Sequence, residues 1–556
     1  MITHLTDPLL QLYQVEAAGG MCVYGNAIEF PLASAGFIPQ CLAVRMITRL
    51  FSAALRGVEA QEVEVEVNAR GADKPLVIVV GLPDAAVRES SQRVISAIGA
   101  SALYLDDGVK TVNLAPADLK KEGPSFDLPI ALAMVAASRT KPFNCDDCCV
   151  VGELGLDGAV RPVKGVLSIA LEAKRRGRTR LLVPEANAPE AAVIDGIQVF
   201  PIRCLKDAWD FLEEEISIAP FHLDRRAFFD AHRRYEVDFD EVKGQHHVKR
   251  ALEVAAAGSH NLLMVGPPGT GKSMLAKRIP TIMPDMTEDE AIETTKIHSI
   301  SGMLDPKRAF LTTRPFRSPH HTISDAGLLG GGTNPGPGEV SLAHHGVLFL
   351  DELPEFRRST LEVMRQPLED GDVTISRAAG SLTFPARFML VAAMNPCPCG
   401  FYGDMKRQCR CSPRQIEQYR QRISGPLLDR IDIHCEVPLV DFRELSSVNS
   451  TGEKSETIRD RVVAARCIQN ERFRKAANTT NASMSPRQMK LHCQINAEAT
   501  GYLEHAMEEM NFSARAHDRI LKVSRTLADL AGSPEIRAVD ILEAIQYRSL
   551  DRKLFS

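Results

Sequence analysis

The sequence predicts an α/β protein of about three domains, two α/β domains followed by an all-helical segment. The first reason is length, since 556 residues are far more than one hydrophobic core usually covers. The second is that strand-like and helical patterns alternate up to roughly residue 440. The third is that only helical spacing follows, as in Ile520, Leu521, Leu527 and Leu530.

Composition limits the function classes. With 44% hydrophobic and 25% charged residues, the chain has the composition of a globular protein. Its net charge of -5 excludes a polycation, so any contact with nucleic acid requires a local basic patch. The sequence has no apolar run of about 18 residues, which predicts no membrane partner. The 13 cysteines, an odd number without a secretory leader, predict free thiols in a reducing cytoplasm.

The N-terminal part of the chain begins irregularly. Residues 1–45 mix proline, glycine and isolated apolar residues without a period. We interpret them as an extension, either a genuine appendage or the result of a mis-assigned start codon. From 46 to 215 the pattern is that of an α/β domain. Val63, Val65 and Val67, for example, alternate with glutamates as in a half-buried strand.

Two polar stretches divide the rest of the chain. The charged stretch 216–240 predicts a linker, and 241–445 predicts a second α/β domain. Residues 446–456 are rich in serine, threonine and glycine, which predicts a loop at the start of the helical segment, 446–556.

The strongest motif is a phosphate-binding loop between the apolar strand Leu262–Val265 and a helix that we expect from Met274 onward. The motif consists of Gly266, Pro267, Pro268, Gly269, Thr270, Gly271, Lys272 and Ser273. Its glycines let backbone N–H groups face phosphates. Lys272 is expected to reach the β- and γ-phosphates and Ser273 to bind Mg²⁺, so the motif predicts ATP and Mg²⁺ as cofactors.

Two carboxylates follow the next buried strand. Val347–Leu350 is apolar and ends in Asp351 and Glu352. Together with the upstream phosphate-binding loop, Asp351 is expected to hold the Mg²⁺ shell and Glu352 to orient and deprotonate the attacking water. These residues predict ATP hydrolysis.

Two further polar residues extend this site. Asn395 follows the predicted strand 388–393, where its side chain would lie beside the γ-phosphate and the water. Arg430 comes shortly after this core and is a candidate arginine finger for a neighbouring subunit's nucleotide. From spacing alone, a surface salt bridge is the better explanation of Arg430.

Three basic groups are candidates for DNA binding. Turn residues and strand-like residues predict a hairpin over 369–384. Arg377 lies near its tip, as either a contact to a phosphate backbone or a solvated arginine. The second basic group consists of Arg314, Arg317, His320 and His321. We interpret the dense basic run 174–180 as a solvated helix end rather than a DNA contact.

Four cysteines crowd into 15 positions as two C-x-C pairs, Cys397 with Cys399 and Cys409 with Cys411. Four thiolates can bind Zn²⁺ tetrahedrally, which makes this cluster a candidate structural zinc site. A group of reduced, partly buried thiols is the open alternative, because C-x-C is a less usual spacing in zinc sites than C-x₂-C.

Taken together, these motifs resemble those of AAA+ ATPases of the helix-2-insert clade, and more closely those of the magnesium-chelatase-like YifB family. The resemblance runs from Met46 to the C-terminus. Besides the phosphate-binding loop, it depends on residues 81–84, 113–119, 126–132, 314–321, 395–400 and 513–516.

The resemblance implies roles for individual residues. Asn395 corresponds to sensor 1, Arg430 to the arginine finger and Arg515 to the sensor 2 arginine, and Gln245 would lie beside the adenine. The helix-2 insert would span about 297–338. The hairpin would point into a central pore, and the C-terminal helices would form a lid.

The N-terminal domain resembles the Lon-protease and ribosomal-S5 fold. Ser125 lies where Lon-type peptidases carry their nucleophile, but the position of their activating lysine holds Leu167. The domain is therefore predicted to be non-proteolytic and to bind DNA or a partner protein.

The resemblance implies a cytoplasmic, homohexameric DNA helicase that acts on single-stranded and branched DNA. It would promote branch migration in the recombination of incoming DNA during natural transformation, with recombination proteins as partners. A magnesium-chelatase motor subunit and a protein-remodelling ATPase stay open as alternatives. The Lon-like domain is expected to argue against the chelatase, since those motors resemble only the AAA+ part. The intact set of Lys272, Asp351, Glu352 and Asn395 argues against a non-enzymatic scaffold.

Overall fold

The computed structural model describes residues 47–71, 76–139, 145–305, 310–332, 335–377, 380–403, 407–439, 452–474, 479–510 and 512–550. The extension predicted at 1–45 lies outside these residues.

The N-terminal part is built on a mixed seven-stranded sheet and a small hairpin. Its strands are β1 (Thr48–Arg56), β2 (Glu59–Arg70), β3 (Leu76–Val80), β4 (Val109–Ala115), β5 (Cys148–Val150), β6 (Glu153–Leu154), β7 (Val160–Arg161), β8 (Arg180–Pro184) and β9 (Gln198–Ile202). Its helices are α1 (Ala85–Ala100), α2 (Asp127–Ala137), α3 (Val166–Arg175), α4 (Ala188–Ala191) and α5 (Leu205–Leu212).

The order of the large sheet is β3-β4-β2-β1-β5-β8-β9, and β6 pairs with β7. The strand β2 runs antiparallel to both of its neighbours, and the other pairs of this sheet are parallel. Val63, Val65 and Val67 of β2 are fully buried and the glutamates between them are partly exposed, which confirms the predicted alternation.

The charged stretch 216–240, predicted to be a linker, contains the helix α6 (Arg225–His232). Asp224 caps this helix by accepting the Ala227 N–H at 3.0 Å. Phe229 is buried, with its ring centroid 5.7 Å from that of Phe310. The sequence did not indicate this helix, because eight residues of which four are polar and one aromatic is buried give no readable helical period.

The second sheet is parallel, with the order β11-β14-β17-β10-β18. Its strands are β10 (Leu262–Val265), β11 (Phe316–Arg317), β14 (Val347–Leu350), β17 (Met389–Met394) and β18 (Ile433–Glu436), and two hairpins add β12 (Gly330–Gly331), β13 (Gly336–Pro337), β15 (Asp372–Arg377) and β16 (Gly380–Pro385). The helices of this part are α7 (His246–Gly258), α8 (Lys272–Ile282), α9 (Glu288–Ser301), α10 (Asp325–Leu329), α11 (Glu339–Leu342), α12 (Arg358–Val363), α13 (Arg365–Asp370), α14 (Pro413–Arg420) and α15 (Gly425–Leu428).

The three central strands β14, β17 and β10 are buried along their whole length, as expected for a parallel sheet covered on both faces. Their carboxyl ends lie at one edge of the sheet. This arrangement confirms the three strands predicted around the phosphate-binding loop and brings the residues that follow them together.

The described C-terminal segment consists of helices joined by short loops. Its helices are α16 (Ser455–Arg472), α17 (Pro486–His492), α18 (Ala497–Met510), α19 (Ala514–Leu530) and α20 (Ala538–Gln546). The loop predicted at 446–456 is too long at its end, because Ser455 and Glu456 form the first turn of α16. Ser455 is buried there, and its hydroxyl accepts the Phe239 N–H at 2.9 Å. None of the described helices combines the length and apolar character needed to span a bilayer.

Candidate functional site

The predicted phosphate-binding loop connects β10 to α8. Gly269 and Gly271 adopt φ values of 82° and 83°, a left-handed conformation that favours glycine. Gly266 has no room for a side chain, because a Cβ there would lie 2.2 Å from the Val437 carbonyl oxygen. The helix begins at Lys272, two residues earlier than predicted. The backbone of the loop therefore depends on its glycines.

Lys272 joins the loop to the carboxyl end of β17. Its Nζ donates to the carbonyl oxygens of Gly266 at 2.7 Å and Pro267 at 2.9 Å, and to Asn395 Oδ1 at 3.2 Å. The pKa of Lys272 is lowered, because burial disfavours the charged ammonium and the nearby carboxylates of Asp351 and Glu352 offset this effect only in part. The structure thus brings Lys272 and Asn395 together, as the sequence predicts.

Ser273 meets the carboxylate that follows β14. Its Oγ donates to Asp351 Oδ2 at 2.6 Å, and Asp351 Oδ1 accepts the N–H of Glu352 at 2.9 Å. A hydroxyl and a carboxylate form an oxygen-only donor set, which is the kind that Mg²⁺ prefers. These two residues fit the ion that the sequence predicts.

The Glu352 side chain extends from a left-handed backbone, with φ of 53°, and is 55% exposed. Its Oε2 lies 3.4 Å from Nδ1 of His321. The sequence placed His321 only in the second basic group and did not predict its contact with Glu352. Topology explains the contact, since His321 follows β11, which pairs in parallel with β14, so both residues leave neighbouring strands at the same edge.

Gln245 lies at the start of α7 in a left-handed conformation, with φ of 53°. Its Nε2 donates to the carbonyl oxygens of Thr270 at 3.0 Å and Pro438 at 3.1 Å. Gln245 therefore links the start of α7 by hydrogen bonds to the phosphate-binding loop and to the segment that follows β18.

No contact among the described residues joins Arg430 or Arg515 to the phosphate-binding loop. The Arg430 guanidinium is almost fully buried and pairs with Glu369 of α13. Arg515, the second residue of α19, is exposed and lies 3.6 Å from Asp429. Within one chain, Arg430 is therefore engaged in an ion pair.

The structure argues against the DNA contacts expected at Arg314 and Arg317. The Arg314 side chain is 9% exposed and donates to the carbonyl oxygen of His345 at 2.6 Å and to Glu290 at 3.0 Å. Arg317 makes two bonds of 2.7 Å to Glu339. Both guanidiniums are used inside the protein. The side chain of Arg377 lies outside the described part of the structure.

The four clustered cysteines converge. Their Sγ atoms all lie within 4.8 Å of one another, with 3.4 Å between Cys397 and Cys399 and 3.6 Å between Cys399 and Cys409. This spacing is compatible with one tetrahedral ion bound by four thiolates. The cluster also lies beside the predicted phosphate-binding loop, since a Cβ on Gly400 would be 2.5 Å from Pro268 Cδ.

A second group of metal-ligand types, which the sequence did not indicate, consists of Glu293, His344 and His345. His344 Nδ1 accepts the Arg387 N–H at 3.0 Å, so a neutral His344 carries its proton on Nε2, which faces Glu293 at 3.3 Å. Burial lowers the pKa of His344 to about 4. A protonated Nε2 cannot bind a metal, so these three side chains form a polar network in which the two histidines are buried and Glu293 is 42% exposed.

Three family models match separate parts of the chain. A family model described as "Magnesium chelatase, subunit ChlI" matches residues 238–445. A model described as "Subunit ChlI of Mg-chelatase" matches 63–187, and one described as "Magnesium chelatase, subunit ChlI C-terminal" matches 452–548. The match over 63–187 contradicts our expectation that chelatase motors share only the ATPase part.

Three relatives match nearly the whole chain. Competence protein ComM of Haemophilus influenzae is 43% identical over 510 residues, which cover 91% of this chain and 98% of ComM. Protein YifB of Escherichia coli is 44% identical over 501 residues, or 90% of this chain and 96% of YifB. Protein Rv2897c of Mycobacterium tuberculosis is 39% identical over 502 residues, or 90% of this chain and 98% of Rv2897c. The chain therefore belongs to the magnesium-chelatase-like family that includes ComM and YifB.

Proposed function

We propose that the protein is an ATP-hydrolysing motor whose turnover is coupled to movement along DNA. The observation that carries the ATPase part is the meeting of two pairs, Lys272 with Asn395 and Ser273 with Asp351, at the carboxyl edge of a parallel sheet. Nucleotides bind at this edge in open α/β sheets.

The residues at this edge divide the work of hydrolysis. The backbone N–H groups of 266–271 would hold the phosphates, and Lys272 would neutralise charge on the β- and γ-phosphates. Ser273 and Asp351 would hold Mg²⁺, which supplies positive charge to the phosphate oxygens when bound. Asn395 would orient the attacking water, and Glu352 would accept its proton. Gln245 would lie beside the adenine.

We propose a homohexameric AAA+ ring of the helix-2-insert type, with the core at 241–445 and the helical lid at 446–556. In this ring Arg430 acts as the arginine finger at a neighbour's nucleotide, and Arg515 as the sensor 2 arginine. Since Arg430 pairs with Glu369 in the single chain, this ion pair would have to open when the finger engages.

A separate observation supports DNA as the molecule along which the motor moves. The name of ComM, which is 43% identical over almost its whole length, places that relative in competence. By analogy, we propose that this chain acts on single-stranded and branched DNA and promotes branch migration in natural transformation, together with recombination proteins. The pore contact would be the hairpin β15–β16, which includes Arg377.

The family-model descriptions favour a second candidate, a chelatase-type motor. Such a motor, like a protein-remodelling ATPase, would use the same nucleotide site but would have no reason to respond to DNA. The response to DNA therefore separates the candidates.

We expect single-stranded and forked DNA to raise ATP turnover severalfold, because a translocating motor hydrolyses fastest when its track is bound. The measurement is phosphate release by the purified protein with and without each DNA. Turnover that ignores every DNA while remaining dependent on Glu352 would favour the chelatase-type or remodelling motor.

We also propose that the four clustered cysteines hold a structural Zn²⁺. The expected content is one zinc per chain by elemental mass spectrometry. Cys409→Ser should lose the zinc and lower the melting temperature by about 2–4 °C for each kcal/mol lost in a unit of roughly 200 residues. The exposed Cys467 lies outside the cluster, so Cys467→Ser is the matched control and should change neither quantity. A zinc-free protein that melts like the wild type would identify the cluster as reduced thiols.

The N-terminal part, 46–215, is proposed to be a Lon-like domain without peptidase activity, joined to the core through 216–240. Leu167, at the position of the peptidase lysine, is fully buried and apolar. A serine without a neighbouring base stays protonated and unreactive at neutral pH. Its proposed role is contact with DNA or a partner protein.

A further inference from the structure

A groove of about 390 Å³ lies between the N-terminal sheet and the hairpin β15–β16. One wall consists of the β1–β2 turn, 56–61, with Arg175 and Arg176 at the end of α3, and the other consists of 381–383 of β16. The two walls touch at one end, where a Cβ on Gly57 would lie 3.7 Å from Leu382 Cδ2. We call this feature the hairpin groove.

The first wall of the hairpin groove is positively charged. Arg56 is exposed and forms no ion pair with any residue that the structure describes. Arg175 and Arg176 are 70% and 48% exposed and share a single carboxylate, Glu172, at 2.7 Å and 3.0 Å. Glu59 at the rim is paired with Lys296 outside the wall, at 2.6 Å. Two of the three guanidiniums on this wall thus share one buried carboxylate, and the third, that of Arg56, is paired with none of the described residues.

The second wall presents the hydroxyls of Ser381 and Thr383 together with the apolar side chain of Leu382. Across the hairpin, the hydroxyls of Thr374 and Thr383 lie 3.0 Å apart, as do those of Ser376 and Ser381. All four side chains are on the solvent face, because alternate residues of a strand point to opposite faces. The opposite face is apolar, and Phe384 there is fully buried. The exposed face therefore offers donors and acceptors but no large side chain.

We propose that the hairpin groove holds the phosphodiester backbone of single-stranded DNA, so that the N-terminal part and the hairpin contact the same DNA strand. This inference rests on the proposed function as a DNA motor. Guanidinium and hydroxyl groups are typical contacts to phosphate oxygens and read no base edges. Binding in the groove should therefore be independent of DNA sequence, as a translocating motor requires. It should also weaken as the salt concentration rises.

The basic run 174–180, which we interpreted from the sequence as a solvated helix end, divides into two parts in the structure. Arg178 makes two bonds of 2.9 Å to Glu62, and Arg180 binds Asp147 at 2.7 Å, so these two arginines serve the fold. Arg175 and Arg176 are 70% and 48% exposed and line the groove. Only part of the run is available to DNA.

The test is binding of a fluorescein-labelled thymidine homopolymer, measured by anisotropy at several salt concentrations in the full-length protein. Arg56→Gln combined with Arg175→Gln should weaken binding by about tenfold or more near 0.1 M salt, and should lower the slope of log Kd against log salt by about 1.4, or 0.7 for each lost contact. The matched control is Arg161→Gln combined with Arg203→Gln. These arginines are 60% and 75% exposed, lie outside the groove and give the same change of net charge.

A second variant, Ser381→Glu, adds a carboxylate to the opposite wall and should also weaken binding while leaving the melting temperature close to that of the wild type. If the wild type binds DNA but the groove variants bind as tightly as the control, the groove is overturned and the motor proposal stands. If the wild type does not bind the homopolymer even at low salt, both proposals fail.

Discussion

Replacing Glu352 with glutamine is expected to reduce ATP turnover at least about a hundredfold, since a positioned general base contributes roughly 10²–10⁴-fold. Glutamine keeps the shape of the side chain but cannot accept the proton of the attacking water. The contacts of Lys272 and Ser273 are left in place, so the affinity for ATP should change little. The measurements are steady-state phosphate release and the Kd of a fluorescent ATP analogue.

The matched control is Glu355→Gln, three residues further along the chain. Glu355 is also exposed, and it binds Arg422 at 2.8 Å rather than facing the loop. Turnover of this variant should stay within about twofold of the wild type, because surface ion pairs contribute little. A Glu352→Gln protein that hydrolyses ATP as fast as the control would remove Glu352 from the role of base.

The parts of this site that could be predicted are those with a local pattern. An apolar strand followed by a glycine-rich loop, Lys272 and Ser273 leaves few alternatives, because strand, loop and helix are adjacent in the chain. Asp351 and Asn395 also follow buried strands, and parallel strands end at one edge of a sheet. Their contacts with Ser273 and Lys272 in the structure agree with this reasoning.

The parts that could not be predicted depend on distant segments. The strand β11 has two residues, too few for a period, so the place of His321 beside Glu352 is visible only in the assembled sheet. Arg314 looks like part of a basic patch in the sequence. Its burial comes from Glu290 and the carbonyl of His345, which lie 24 and 31 residues away along the chain.

Arg430→Ala is expected to reduce turnover about a thousandfold if Arg430 is the arginine finger of the proposed ring, because such a group stabilises charge on the transferred phosphoryl group. The ion pair with Glu369 suggests a competing explanation, a structural role inside one chain. Glu369→Gln separates the two. It breaks the same ion pair but leaves the guanidinium free to reach a neighbour, so it should retain most of the turnover, and equal losses in both variants would favour the structural role.

The decisive measurement for Arg430 is mixing two inactive variants. An Arg430→Ala chain keeps its own Glu352, and a Glu352→Gln chain keeps its own Arg430. Where the first binds ATP next to the second, the shared site has both groups, so a mixture should recover turnover that neither variant has alone. Because a residue that acts only within its own chain cannot be supplied by a neighbour, a mixture without recovery would exclude Arg430 as a finger acting between subunits.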